Sequence, residues 1–166
     1  AFVAQRIGME FVGPFTFNGV RFTLGALVLL PFLFFGKKFT PKNPEMTTSR
    51  KMIIWGLLGT GILLFMGVSL QQFGLQTTTA GKAGFLTGLY VVFVPVVGII
   101  LGHRTNLYTW LGVLFSATGL YLLSIKSGFR IEHGDLLVLA CALVFTFHVL
   151  LIGWLSPRMN SIHLAL

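Results

Sequence analysis

The side chains in this sequence that could act as acids, bases, nucleophiles or metal ligands are few, and their spacing argues against catalysis. The four acids, Glu10, Glu45, Glu132 and Asp135, all lie in or beside polar turns. No pair of carboxylates faces a partner within an apolar run, and neither an HExxH nor a GxSxG arrangement occurs. A phosphate-binding Walker loop is absent too, which excludes an ATP-driven pump domain within this stretch. Glu132, His133 and Asp135 sit together, but not at a spacing that makes a metal site. The single cysteine, Cys141, lies in an apolar run with no cysteine or histidine at ligand spacing, and reads as a small buried hydrophobe. No catalytic cluster, cofactor or metal is expected.

What remains is a set of polar side chains inside long apolar stretches, where ionisable groups are costly and therefore informative. Arg21 could face a cavity and bind an anion, pair with Glu10 from the preceding turn, or snorkel to headgroups. Asn18 lies nearly one helical turn away and could share its face. Gln71, Gln72 and Gln76 cluster, and Ser69, Gln72 and Gln76 fall on one side at helical spacing. Such groups either bond neighbouring helices, the expectation for Gln76, or line a wet cavity, which stays open for Gln72. Thr87 and Tyr90 could project polar groups near the middle of a span. His148 could relay protons or contact substrate, or sit neutral and bonded to a neighbouring helix. His103 and His133 lie in loops and receive no role.

The elements that position these groups follow from composition. Of the 166 residues, 55% are hydrophobic and only 10% charged, against about a quarter charged in an average soluble domain. The apolar residues fall into runs of nineteen or more, the length that spans a bilayer core of roughly 30 Å. Barrel strands would be near ten residues long and alternating, so the spans are helices. The expected spans are a partial helix over 1–10, then 15–35, 52–75, 83–101, 107–125 and 136–155. Pro14, after Gly13, suits the first turn of the second. In the fourth span Ala80, Gly84 and Gly88 recur every four residues, a stripe for close helix packing. Pro95 should kink that span and expose the carbonyl of Val91. The partial first helix and the renewed apolar sequence at Leu166 suggest a fragment.

The net charge of +8 raises the question of nucleic acid, but Lys37, Lys38, Lys42, Arg50 and Lys51 crowd one loop between two apolar runs. A nucleic-acid module would spread its bases over a solvated face, so no nucleic-acid partner is expected. With Arg104 and Arg158, that side of the membrane carries seven bases, whereas the other carries Lys82, Lys126 and Arg130. The first side is therefore cytoplasmic. Phe2–Gly8 reads FVAQRIG and Phe147–Gly153 reads FHVLLIG, each followed by a polar turn containing Pro. The first helix points outward and the sixth inward, which suggests an inverted repeat with a five-helix period.

In the fourth and fifth spans the sequence resembles the EamA-type permeases of the drug/metabolite transporter superfamily. The residues that carry the resemblance are Thr78-Thr79-Ala80-Gly81-Lys82-Ala83-Gly84-Phe85-Leu86-Thr87-Gly88-Leu89-Tyr90 with Pro95, then Gly102-His103-Arg104, Trp110-Leu111-Gly112 and Gly119-Leu120-Tyr121-Leu122-Leu123. Arg21-Phe22 and Gly134-Asp135-Leu136-Leu137 also fit, and His103 departs from the glutamate the family commonly has there. The resemblance implies an all-α polytopic transmembrane bundle of ten helices in two inverted five-helix repeats. The chain would then hold a first repeat over 1–125, an outer loop over 126–135, and the start of a second repeat over 136–166. It implies a cavity lined by the first, third, fourth and sixth helices, with Gln5, Gln72, Thr87, Tyr90 and His148 as lining candidates. Arg21, Glu10, Ala80, Gly84, Gly88 and Pro95 would be structural.

The expected function is a secondary carrier of small metabolites or amphipathic compounds, working by alternating access as a multi-pass protein of a bacterial plasma (inner) membrane. The alternative is a membrane-embedded enzyme or scaffold on the same bundle, which would need acids or histidines converging at one membrane face. The expected partners are the lipid bilayer and a small-molecule substrate, with room for a homo-oligomer. Mostly neutral candidate side chains favour a neutral or zwitterionic substrate.

Overall fold

A backbone in hydrocarbon has no water to bond, so an apolar run must satisfy its own N–H and C=O groups, and a helix does so. The structure, a computed structural model, describes residues 2–35, 49–124 and 132–158. These form α1 (Phe2–Phe11), α2 (Pro14–Phe35), α3 (Arg50–Thr77), α4 (Ala80–Gly88), α5 (Tyr90–Ile100), α6 (Leu107–Ser124) and α7 (His133–Leu155), with a 3₁₀ turn at Ser156–Arg158. Lys37, Lys38, Lys42, the 126–130 loop and the chain from 159 onward lie outside the described residues, as does the side chain of Glu10. Among the described residues, Lys51–Thr77, Ala80–Ile100 and His133–Arg158 are long and apolar enough to cross a membrane. Apolar side chains such as Phe11, Trp55, Ile100, Tyr108 and Phe115 are left exposed. A soluble domain would not leave so much bare, whereas a bilayer solvates it.

Local chemistry sets the helix ends. Thr79 caps α4 by accepting from the Lys82 amide at 3.2 Å, and Asn106 caps α6 by accepting from the Thr109 amide at 2.9 Å. Glu132 and Asp135 form a reciprocal capping box at the start of α7. After α5, the His103 amide bonds the Gly98 carbonyl at 2.8 Å and the Gly102 amide the Ile99 carbonyl at 2.9 Å, a Schellman stop. That geometry puts Gly102 at φ +83°, in left-handed space. Gly102→Ala is expected to cost about 1–2 kcal/mol, read as a lower unfolding midpoint of the purified full-length protein. Asn at that position should recover most of the loss, and an unchanged midpoint for alanine would count against this stop.

The fourth span runs as one membrane-crossing segment over Ala80–Ile100, with α4 passing into α5 at Leu89. Leu89 stays in right-handed helical space at φ −60° and ψ −18°. Its amide bonds the Phe85 carbonyl at 3.2 Å and its carbonyl accepts from the Phe93 amide at 3.0 Å, with added three-residue bonds to Leu86 and from Val92 that tighten the turn. Pro95 lies buried inside α5.

The centre of the bundle is the antiparallel pair of α3 and α7. A Cβ built on Gly56 would come 2.5 Å from Leu155, on Gly67 2.7 Å from Phe145, and on Gly74 2.6 Å from Val138. As α3 ascends, its partners on α7 descend. Small residues let two helices approach where hydrocarbon offers no hydrophobic drive. By comparison, a Cβ built on Gly84 of the α4 stripe would make only ordinary contact with Phe2 of α1, at 3.6 Å. Leu75, Ala83 and Val138 form a buried cluster against Phe2, Met9 and Leu86, which joins α1, α3, α4 and α7. Phe15 of α2 leans on α3 through Phe65 and Phe73, at ring separations of 6.4 and 5.4 Å.

Candidate functional site

The glycine seam brings polar side chains of α3 against α4 and α7. Gln71 donates its amide to the Thr87 hydroxyl at 3.2 Å, a buried bond that ties α3 to the last turn of α4. Gln72, its neighbour, is 1% exposed, and neither its amide nitrogen nor its oxygen has a partner among the described residues. Further along the seam, His148 Nδ1 lies 3.1 Å from the Thr60 carbonyl. A carbonyl can only accept, so Nδ1 carries the proton and a neutral ring keeps Nε2 as its acceptor. His148 thus bonds a neighbouring helix, one of its two expected roles. Phe145 stands between His148 and Tyr90, with ring centroids 6.4 Å from each.

An open cleft of about 520 Å³ lies between α5, α6 and α7, bounded by Tyr90, Pro95, Gly98, His103, Thr109 and Ser116 among others. Of the five lining candidates, Tyr90 borders it. An adjoining cleft of about 530 Å³ shares Val94, His103, Val149 and Leu150 and reaches Trp154 and Arg158. Gln5 is buried on α1, away from both clefts. Thr87 and Gln71 meet at the α3–α4 contact, whereas Phe145 lies between Tyr90 and His148. The Arg21 guanidinium lies 4.9 Å over the Phe22 ring. Asn18 is buried on the same helix, with its carbonyl oxygen unpartnered among the described residues. Gln76 borders a recess of about 230 Å³ with Arg6, Met9 and Leu75.

The profile of the EamA-like transporter family matches residues 1–125 of this chain. The chain belongs to the EamA-like transporter family. It is 35% identical over 165 residues to an uncharacterized transporter of Archaeoglobus fulgidus, covering 99% of this chain and 48% of that protein. It is 29% identical over 143 residues to the uncharacterized transporter YoaV of Bacillus subtilis, covering 86% of this chain and 47% of that protein. A second Bacillus subtilis protein, the uncharacterized transporter YetK, is 23% identical over 167 residues. The EamA chain therefore spans about half the length of the curated relatives it matches. No solved structure matches it significantly. It is an integral membrane chain, all-helical over the described residues, from a family of transporters.

The EamA chain also carries a polar cluster that motif reading passes over. Asp135, placed by its neighbours in an outer loop, is buried at the start of α7. It accepts from the Thr78 hydroxyl, from the Glu132 amide at 3.0 Å, and from Lys82 at 3.4 Å. Arg6 of α1 donates to the Thr78 carbonyl at 3.1 Å. One signal was available in sequence: acids three residues apart at 132 and 135, just before an apolar run, have capping-box spacing. His103, read as an idle loop residue, borders both clefts. Among the described residues, no three His, Cys, Asp or Glu side chains converge to hold a metal.

Proposed function

We propose that this chain forms one five-helix unit, with the first helix of an inverted second unit, of a secondary carrier that works by alternating access. The observation that carries the reading is Gln72, buried inside a membrane-crossing helix with neither of its polar side-chain atoms partnered among the described residues. A polar side chain at that depth is costly and is kept where it serves a path or a site. On the neighbouring span, Thr87 accepts from Gln71, and Phe145 stands between Tyr90 and His148. The groups offered there are amides, hydroxyls and an imidazole, so the substrate class is a neutral or zwitterionic small metabolite, or an amphipathic compound of that polarity. Its setting is the plasma membrane, with the bases of the 37–51 loop on the cytoplasmic face.

The test is counterflow of a panel of labelled neutral and zwitterionic metabolites in liposomes holding the full-length protein. At least one should show saturable exchange. His148→Ala should lower its rate on the order of tenfold, the size of one lost hydrogen bond, with membrane insertion unchanged. Equal rates at equal protein level would remove His148 from the site, and no exchange by any compound would remove the carrier assignment.

A further inference from the structure

The polar contacts at one end of the bundle form a connected set that the substrate path does not use. Asp135 of α7 holds the Thr78 hydroxyl, in the turn between α3 and α4, and the Lys82 ammonium of α4. Arg6 of α1 fastens the same turn through the Thr78 carbonyl. Four helices are thus joined at the end that the Lys and Arg distribution places outside. Beneath them a Cβ on Gly74 would lie 2.7 Å from the Gly134 carbonyl, so the backbones of α3 and α7 close without a side chain between them. The opposite end is built differently. There the two clefts, of about 520 and 530 Å³, separate α5 from α6 and α7 and run toward His103, Trp154 and Arg158.

From these contacts we propose that Asp135, Lys82 and Thr78, steadied by Arg6, are the outer gate of the carrier, shut in this structure. The assignment rests on the alternating-access reading. Its chemistry suits a reversible closure. The Lys82 and Asp135 side chains are 13% and 10% exposed, so water reaches both and can take over their hydrogen bonds when they part. An apolar seam would have to be wetted at a cost in area every time it opened.

Cys141 provides a native reporter. It is fully buried on α7, nearly two turns inward of Asp135. In full-length protein with its other cysteines replaced, a membrane-impermeant maleimide added from outside should label it slowly. Asp135→Asn and Lys82→Gln should each speed labelling about tenfold, the shift that about 1.4 kcal/mol gives. The reversed pair Lys82→Asp with Asp135→Lys should slow it again. One molar salt should speed labelling of the unsubstituted protein by screening the pair. The gate is overturned if labelling keeps the unsubstituted rate in whichever variant inserts normally, or, should neither insert, in the salt comparison. Counterflow in the same vesicles separates the two claims. Faster labelling without exchange by any form keeps the gate and removes the carrier, whereas exchange with unchanged labelling removes the gate alone.

Discussion

Gly74→Val in the full-length protein should lower stability by about 1–3 kcal/mol, the cost of forcing extra carbon into a packed contact. A Cβ at this position meets Val138 Cγ2 at 2.6 Å, the Gly134 carbonyl oxygen at 2.7 Å and the Val138 amide at 3.2 Å. Two of those three atoms are backbone and cannot turn aside. At Gly67 the crowding atoms belong to the Phe145 ring, at 2.7 and 2.9 Å, and the ring can rotate away. Alanine at 67 should therefore cost less than alanine at 74. Gly81→Ala is the control, because nothing lies within 4 Å of a Cβ built there. Thermal unfolding in detergent ranks the three. If Gly74→Val melts with the unsubstituted protein, α3 and α7 are not held through this contact.

Gln72→Leu should act in the opposite direction on stability, raising it by about 1–3 kcal/mol, the penalty of a buried amide without partners. The Gln72 side chain is 1% exposed and both of its polar atoms are unpartnered among the described residues. Leucine of similar size would remove that penalty. Stability given up at such a position is commonly the mark of function, so counterflow should fall as the melting temperature rises. Gln71→Leu is the contrasting change, since it breaks a made bond to Thr87 and should destabilise. Should Gln72→Leu melt lower than the unsubstituted protein, the amide is satisfied in the folded carrier and its role is structural.

The helices were legible in sequence because hydrocarbon imposes one solution on a long apolar run. Pro14 starts α2, and the apolar run over 136–155 ends with α7 at Leu155. The tight seam was less legible. Ala80, Gly84 and Gly88 drew attention by regular spacing, whereas Gly56, Gly67 and Gly74, which α7 presses, are spaced eleven and seven apart. Only the identity of the facing helix separates a packed glycine from a lipid-facing one. Among the site candidates, Thr87 and His148 could be picked by polarity in apolar surroundings. Their partners could not, because the bond from Gln71 to Thr87 spans 16 residues and that from His148 to Thr60 spans 88. The role of Asp135 was hidden because its partners Thr78 and Lys82 lie more than fifty residues away in sequence.

The pairing of α3 with α7 bears on how the protein is made. A ribosome adds about 5–20 residues per second, so α7 follows α3 into the bilayer on the order of seconds later. Through that interval Gly56, Gly67 and Gly74 lack the α7 residues that press on them in the folded chain, so the core is completed only when the last described helix arrives.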